Sequence, residues 1–104
     1  MDELKVFWTS TAKRQRDHVF EYWNERNNST SYSKKLNLTI KERIIILKSH
    51  SDIGKQTEFE NTRSINMGHY SIFYKREGKN IFITGFWDNR QDPIKLLRFL
   101  KRKP

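Results

Sequence analysis

Cysteine is absent from this sequence, and its 104 residues include only two prolines and four glycines. The lack of cysteine excludes a disulfide framework and thiolate chemistry. The glycines lie too far apart to form a glycine-rich phosphate loop. No apolar run approaches the ~18 residues that a membrane span needs. We therefore expect one globular domain over residues 1–104, without a membrane anchor.

Recognisable catalytic and metal-binding patterns are also missing. No cluster of His, Cys and carboxylate residues has metal-ligand spacing, and nothing resembles a nucleophile elbow. His18, His50 and His69 are isolated in the sequence and are interpreted as surface or packing residues. The sequence gives no reason to expect a cofactor or a metal. The first five residues lack the apolar core of a secretory signal, so we expect a cytoplasmic protein.

Positive charge is the most marked feature that is present. Lys and Arg total 21 against 12 Asp and Glu, which gives a net charge of +9. Such an excess predicts attraction to nucleic acid, to an acidic membrane face or to an acidic protein, without choosing among them. A basic surface also serves solubility alone. The aromatic content of 13% argues against disorder.

Two helices are predicted in the N-terminal half. After a short strand at residues 5–9, the hydroxyls of Ser10 and Thr11 are expected to cap a helix that runs to about Arg26. Residues 27–30 supply a turn, and a second helix is expected over residues 31–49. Its core-facing row is Tyr32, Leu36, Ile40, Ile44 and Leu47. The short link predicts an antiparallel hairpin of helices.

Strands are predicted in the C-terminal half, at residues 63–66, 70–74 and 81–87. Residues 77–80 are interpreted as a hairpin loop, because Gly78 accommodates a positive φ. The last two strands are apolar on both faces and should be central in the sheet. Residues 50–62 show no periodicity, so we expect a long loop there.

A short C-terminal helix is expected after Asp92, which is followed by proline at the first helical position. The fold class is therefore α+β. It consists of an N-terminal strand, an antiparallel two-helix hairpin, a three-stranded antiparallel sheet and the short C-terminal helix.

The order of several short motifs resembles that of the RelE/ParE superfamily of toxins from type II toxin–antitoxin pairs. The motifs are Trp8-Thr9, Tyr22-Trp23, Arg63-x-Ile65-x-x-Gly68-x-Tyr70-x-Ile72-Phe73-Tyr74 and Arg90-Gln91-Asp92-Pro93-x-x-Leu96-Leu97. The resemblance covers about residues 6–97 and favours the ParE-like subgroup. It implies two helices packed on a small antiparallel-rich sheet.

Two activities occur in this superfamily. RelE-like members cut messenger RNA on the ribosome, whereas ParE-like members poison DNA gyrase. Asn66 stands where the nucleases carry a strand arginine, and the chain after Arg90 has no His or Tyr to match their C-terminal acid or base. The resemblance therefore implies a gyrase inhibitor. The alternatives are a ribosome-dependent mRNA endoribonuclease and an inactive or non-toxic basic binding domain.

The resemblance also implies site residues and partners. If the protein is a nuclease, its catalytic residues would be Arg63, Arg90, Lys55 and His69. The candidates for binding the target or the antitoxin are Arg63, Arg90, Lys95, Leu97, Arg98, Leu100 and Lys101. The simpler interpretation pairs Arg63 with Glu58, Glu60 or Asp88, and gives Arg90 a helix-capping or anchoring role.

An antitoxin encoded by the adjacent gene is implied as partner, with DNA gyrase, or alternatively the ribosome and mRNA, as target. The resemblance further implies growth inhibition, plasmid stabilisation and a capacity for higher-order toxin–antitoxin assembly. An acidic or amphipathic antitoxin segment should fold across the toxin. We accordingly expect an exposed apolar groove along the helix hairpin or the C-terminal helix.

Overall fold

The computed structural model describes residues 4–91 and 94–95. Within these ranges the chain folds into two helices and five strands. In chain order they are β1 (Lys5–Trp8), α1 (Ser10–Asn27), α2 (Ser31–Ser49), β2 (Lys55–Gln56), β3 (Thr62–Met67), β4 (Tyr70–Glu77) and β5 (Asn80–Asp88). The α+β class is confirmed.

The five strands form one sheet in the order β1-β5-β4-β3-β2. β1 runs parallel to β5, and the other neighbouring pairs are antiparallel. β4 and β5 occupy inner positions of the sheet, as predicted from the apolar residues on both of their faces. The predicted N-terminal strand is confirmed as β1, and the structure places it at one edge of the sheet beside β5. The strand at the other edge, β2, was not predicted.

The segment between α2 and β3 is more ordered than its lack of periodicity predicted. Lys55 and Gln56 form β2, where they pair with Ser64 and Arg63 of β3. A strand of two residues is too short to show a period of two. The prediction of a continuous loop over residues 50–62 was wrong for this reason.

The first helix begins earlier than predicted. Thr9, in an extended conformation, is the N-cap, and its Oγ1 accepts a hydrogen bond from the backbone N–H of Ala12 at 3.2 Å. The Thr9 N–H donates to the carbonyl oxygen of Ile83 in β5 at 3.0 Å. Because this sheet contact fixes Thr9, α1 starts directly after it, and the prediction of Ser10 and Thr11 as caps was wrong.

The second helix has the predicted bounds and core-facing row. Leu36, Ile40 and Leu47 are buried, and Tyr32 and Ile44 pack against the same core. The helices cover one face of the sheet, whose buried residues include Met67, Tyr70, Ile72, Tyr74, Ile81, Ile83 and Phe86.

The turn between β4 and β5 is a tight hairpin, as its sequence predicted. Glu77 pairs with Asn80, and Gly78 between them has φ +60°. Any side chain at that φ would be strained.

The predicted C-terminal helix lies mostly outside the described residues, although Ile94 and Lys95 have helical backbone. Neither helix of the described part is both long and apolar enough to cross a membrane.

Candidate functional site

The first candidate, Arg63, lies on β3 opposite Tyr74 of β4. Its Nη1 donates hydrogen bonds to the carbonyl oxygens of Gly54 and Asp52, at 2.8 and 3.2 Å. These carbonyls belong to the segment between α2 and β2. The guanidinium therefore ties this segment to the sheet, in place of the predicted ion pair with Glu58, Glu60 or Asp88.

Tyr74 fixes the same segment from the core. Its hydroxyl accepts a hydrogen bond from the Gly54 N–H at 2.9 Å and donates to the carbonyl oxygen of Ser51 at 2.8 Å. Burial is the main cause that raises the pKa of Tyr74. A Cβ at Gly54 would lie 2.5 Å from the Tyr74 hydroxyl and 2.8 Å from the carbonyl oxygen of Ser64, so only glycine fits there.

A cavity of about 530 Å³ opens beside these contacts. Arg63 and Arg76 line it together with Glu58, Glu60 and Asp52. Arg76 is engaged within the protein, because its Nη1 donates to Ser51 Oγ at 2.7 Å. This cavity is therefore not suited to bind an anion, because its lining includes carboxylates and both of its guanidinium groups donate hydrogen bonds within the protein.

Lys55 is next to Arg63 in the sheet but does not share its face. Lys55 pairs with Ser64, whereas Arg63 pairs with Gln56. Side chains of successive strand residues point to opposite faces, so Lys55 and Arg63 point to opposite sides. Accordingly, Gln56 and Arg63 line the cavity and Lys55 does not.

Arg90 lies after β5 and forms a bidentate ion pair. Its Nε and Nη2 donate to the two carboxylate oxygens of Asp88, each at 2.9 Å. The hydrogen bonds from Arg90 lower the pKa of the Asp88 carboxyl. The same pair raises the pKa of Arg90, a side chain that is always charged in proteins. Arg90 thus braces the end of β5, which agrees with the anchoring interpretation.

Tyr70 forms the floor beneath Arg90. The Arg90 guanidinium lies 6.0 Å from the centre of the Tyr70 ring, and the Phe86 ring stacks on it at 5.2 Å. The indole N–H of Trp23 donates to the Tyr70 hydroxyl at 2.8 Å. Burial is the main cause that raises the pKa of Tyr70. This tyrosine joins α1 to the sheet.

His69 is exposed in the turn between β3 and β4. Its carbonyl oxygen accepts a hydrogen bond from the backbone N–H of Asn89 at 2.7 Å. His69 also lies near Asp88, and their electrostatic interaction is the smallest of the causes that lower the pKa of the Asp88 carboxyl. His69 therefore belongs to the neighbourhood of Arg90.

The four nuclease candidates fall into three separate places: Arg63 at one cavity, Lys55 on the opposite face of the sheet, and Arg90 with His69 at the end of β5. Arg63 pairs with Tyr74, whereas Arg90 lies over Tyr70, four residues away along β4. Four residues of strand span about 13 Å. Arg63 and Arg90 line different cavities, and Lys55 lines neither of them.

Asn66, where the nucleases carry their strand arginine, takes part in a neutral network. Ser71 Oγ lies 3.0 Å from Asn66 Oδ1 and 2.9 Å from Asn89 Oδ1. Arg43 donates from Nε to the backbone oxygen of Asn66 at 3.2 Å. The three side chains of this Asn–Ser–Asn group are neutral, and Arg43 reaches only the backbone oxygen of Asn66.

Of the predicted docking residues, Lys95 is exposed. Leu97, Arg98, Leu100 and Lys101 lie outside the described residues. No cluster of three or more His, Cys, Asp or Glu residues able to hold a metal ion occurs within residues 4–91 and 94–95.

Sequence reasoning did not find the structural roles of Gly54, Arg76 or the Trp23–Tyr70 contact. Each joins residues 20 or more positions apart, so no local spacing signals it. The sequence showed only that Gly54 lies in a stretch without periodicity, and it gave no sign of the contact with Tyr74.

Residues 6–93 match the model of the family described as ParE toxin of type II toxin-antitoxin system, parDE. The chain belongs to the ParE toxin family. A solved chain of the chromosomal ParDE TA system from P. aeruginosa has a similar fold, with a TM-score of 0.69 and 18% identity over 82% of this chain and 95% of that chain. No curated protein matches the sequence significantly.

This chain is thus a ParE-type toxin of a type II toxin–antitoxin system, a family that implies a cognate antitoxin as partner. The motifs that carried the resemblance have structural roles in it. Arg63 holds the segment before β2, Tyr70 receives Trp23, and Arg90 braces the end of β5.

Proposed function

We propose that this ParE-type toxin inhibits DNA gyrase by binding it, in the cytoplasm, and that the antitoxin encoded by the adjacent gene neutralises it. The observation that carries this proposal is the separation of the four nuclease candidates. Arg63 and Lys55 point to opposite sides of the sheet, and Arg90 lies near His69 instead.

The chemistry of RNA cleavage supports binding over bond breaking. Activation of a 2′-hydroxyl and stabilisation of the phosphorane require a proton acceptor and cations at one phosphate. The Nη1 of Arg63 already donates hydrogen bonds to two backbone carbonyl oxygens, and the Nε and Nη2 of Arg90 already donate to the Asp88 carboxylate. Neither arginine presents a full fork to a phosphate, which is the geometry that makes arginine effective there.

The docking residues proposed for the target include Lys95, which is exposed next to Ile94, itself 58% exposed. Leu97, Arg98, Leu100 and Lys101 continue this segment in the sequence and are proposed to extend the same contact. An alternation of apolar and cationic residues suits a protein partner with an acidic rim.

The test is supercoiling of relaxed plasmid by purified gyrase at rising toxin concentration. We expect the toxin to inhibit supercoiling, and Lys95→Glu to weaken this inhibition. Lys34→Glu on α2 is the matched control, because Lys34 is exposed and the change in net charge is the same. Unaffected supercoiling at high toxin excess would refute the proposal.

A translation assay with ribosome-bound mRNA distinguishes the alternative activity. Under the proposal the transcripts stay intact and DNA replication stops before translation when the toxin is induced. Cleavage of ribosome-bound mRNA that disappears in Arg90→Ala would favour the nuclease instead. Harmless overexpression would favour the non-toxic binding domain.

A further inference from the structure

The face of the sheet that is turned away from the helices carries a pair of aromatic rings. On β1, Val6 and Trp8 pack against the core, so Phe7 between them points to this second face. Phe82 of β5 lies between two fully buried isoleucines and points the same way. Because Phe7 pairs with Phe82 in the register of β1 and β5, the two side chains are neighbours on this face.

The Phe7 ring is both held in place and accessible. Its centre lies 5.7 Å from that of the Phe82 ring, and the two planes differ by 26°, which is a stacked arrangement. Phe7 is 45% exposed, and Phe82 is half-buried. β1 is an edge strand of the sheet. Nearly half of the Phe7 side chain therefore remains available for contact with a partner.

Lysines flank this ring pair. Lys5 lies two residues before Phe7 on β1 and points to the same face. Lys75 of β4 pairs with Phe82 and lies next to the buried Tyr74, so it also points to this face. Neither lysine forms an ion pair with a described residue. We call Lys5, Phe7, Phe82 and Lys75 the Phe7 patch.

Positive charge continues across this face of the sheet. Lys55 of β2 points to it as well, because Lys55 pairs with Ser64 on the side opposite Arg63. Three strand spacings separate Lys55 from Phe82, which is about 14 Å. The described strand residues that point to this face thus include three lysines and one carboxylate, that of Glu77. Such a surface attracts a polyanion.

The absence of a pocket at the Phe7 patch favours nucleic acid over a protein. None of the cavities of about 530, 390 and 370 Å³ is lined by Phe7 or Phe82. A protein partner gains most of its binding energy where an anchor side chain fills a pocket. A nucleotide base needs only an exposed ring on which to stack, and lysines beside the ring contact the phosphates.

The same chemistry favours single strands. In a duplex the bases are stacked on one another, whereas the bases of a single strand can lie on an aromatic side chain. A second copy of this chain is a poor occupant, because it would bring Lys5 and Lys75 against lysines of like charge. The Phe7 patch therefore best fits an unpaired polynucleotide.

We propose that the Phe7 patch binds single-stranded nucleic acid. One base stacks on the Phe7 ring, and the ammonium groups of Lys5 and Lys75 contact phosphates on either side of it. Stacking and phosphate contacts are common to DNA and RNA, so both are candidate ligands. The site goes beyond the proposed function, because it gives the toxin a nucleic acid contact in addition to its contact with gyrase.

Fluorescence anisotropy measures binding of the purified toxin to labelled oligo(dT) and oligo(rU), each of about ten nucleotides. Phe7→Leu keeps an apolar side chain but removes the ring, and we expect it to weaken binding about tenfold. Phe7→Tyr keeps the ring and should bind like the native protein. Tyr22→Leu is the matched control, because it removes a ring that is 49% exposed on α1 and should leave the affinity unchanged.

The lysines are tested through the salt dependence of binding. Each phosphate contact to a single strand adds about 0.7 to the slope of log K against log salt concentration. Lys5→Gln and Lys75→Gln should each lower the slope by about this amount. Two controls of equal charge change should not: Lys34→Gln on α2, and Arg14→Gln in the cationic groove between α1 and the end of β5. Circular dichroism checks that each variant is folded.

Amide chemical-shift mapping on the unmodified toxin needs no variant to fold. The proposal expects the largest shifts over residues 5–8 and at Phe82 when either oligonucleotide is added. Shifts confined to the helices would overturn it. A preference for one oligonucleotide, together with loss of affinity in Phe7→Leu, supports the proposal and identifies DNA or RNA as the better ligand.

Other outcomes separate this site from its alternatives. Binding of neither oligonucleotide, unchanged affinity in Phe7→Leu, or equal affinity for a duplex of the same length would overturn the proposal. Loss of binding in Arg14→Gln alone would assign nucleic acid to the groove instead. Weaker gyrase inhibition by Phe7→Leu with unchanged oligonucleotide affinity would assign the Phe7 patch to a protein partner. Supercoiling by gyrase is measured without these oligonucleotides, so either proposal can fail while the other stands.

Discussion

The Tyr74 hydroxyl holds the segment between α2 and β2 from the core side, while Arg63 and Arg76 also bond this segment. It bonds the Gly54 N–H and the Ser51 carbonyl oxygen inside the core. Tyr74→Phe keeps the ring but leaves two buried backbone groups without this partner. We expect the free energy of unfolding to fall by about 1–3 kcal/mol, measured by urea denaturation.

Tyr22→Phe is the matched control for this substitution. The Tyr22 ring is 49% exposed and its hydroxyl bonds only Arg26 among the described residues. Its removal should change the free energy of unfolding by less than about 0.5 kcal/mol. Similar losses in the two variants would show that the Tyr74 hydroxyl does not hold the segment.

The Asp88–Arg90 pair predicts a specific dependence of stability on pH. Hydrogen bonds from Arg90 lower the pKa of the Asp88 carboxyl in the folded protein. Stability gained in this way is fully present above about pH 5 and is lost as the pH falls through the lowered pKa. The advantage of the native chain over Asp88→Asn should therefore shrink from neutral to acidic pH.

Urea denaturation of both proteins between about pH 7 and about pH 2.5 measures this difference. The Asp88 side chain is only 16% exposed, so its ion pair is partly shielded from solvent although Arg90 is 48% exposed. A difference that stays constant over the whole range would contradict a role for the carboxylate charge.

At the scale of elements, the two helix starts differ in one hydrogen bond. Thr9 caps α1 with its hydroxyl, whereas the Thr30 side chain makes no capping hydrogen bond at the start of α2. Thr9→Ala should destabilise the fold by about 1 kcal/mol, because the Ala12 N–H loses its acceptor. Thr30→Ala should cost much less.

Thermal unfolding followed by circular dichroism at 222 nm compares these two threonine variants. A loss of about 1 kcal/mol corresponds to a fall of about 4–8 °C in Tm for a domain of this size. Equal falls in Tm for both variants would mean that the capping hydrogen bond of Thr9 adds no stability, because Thr30 makes no such bond.

The elements differed in how far the sequence determined them. α2 was predicted to its bounds because its apolar residues recur over about four helical turns. β2 was missed because its two residues carry no pattern. The start of α1 was misplaced by one or two residues because the backbone of Ile83 fixes Thr9, and the sequence near Thr9 contains no sign of that contact.

At the scale of the whole molecule, the charge of +9 should dominate the approach of an acidic partner. We expect the association rate with the adjacent gene product to fall steeply between about 0.05 M and about 0.5 M salt, because the Debye length shrinks below ~10 Å. Stopped-flow fluorescence measures this rate. The dissociation rate should change much less. A salt-independent association rate would indicate that charge does not guide the encounter.

The candidate site was less predictable than the fold. Arg63 and Arg90 were identified as the arginines to examine, but their partners were not. Arg63 bonds carbonyls of a segment without periodicity, so its partners depend on how that segment lies beside the sheet. Arg90 pairs with Asp88, only two residues away, but a spacing of two does not by itself predict an ion pair.

The sequence by itself determined the α+β class, the second helix, the β4–β5 hairpin and membership of the toxin superfamily, because periodicity, turn residues and motif order are local. Tertiary structure alone decided that β1 joins the sheet beside β5 and that Lys55 and Arg63 point apart. It also decided that α1 and the end of β5 enclose a cationic groove. The physical reason is that pairing between strands distant in the chain, such as β1 with β5, depends on burial and hydrogen bonds that form only in the folded protein, and no turn joins these strands to set their register.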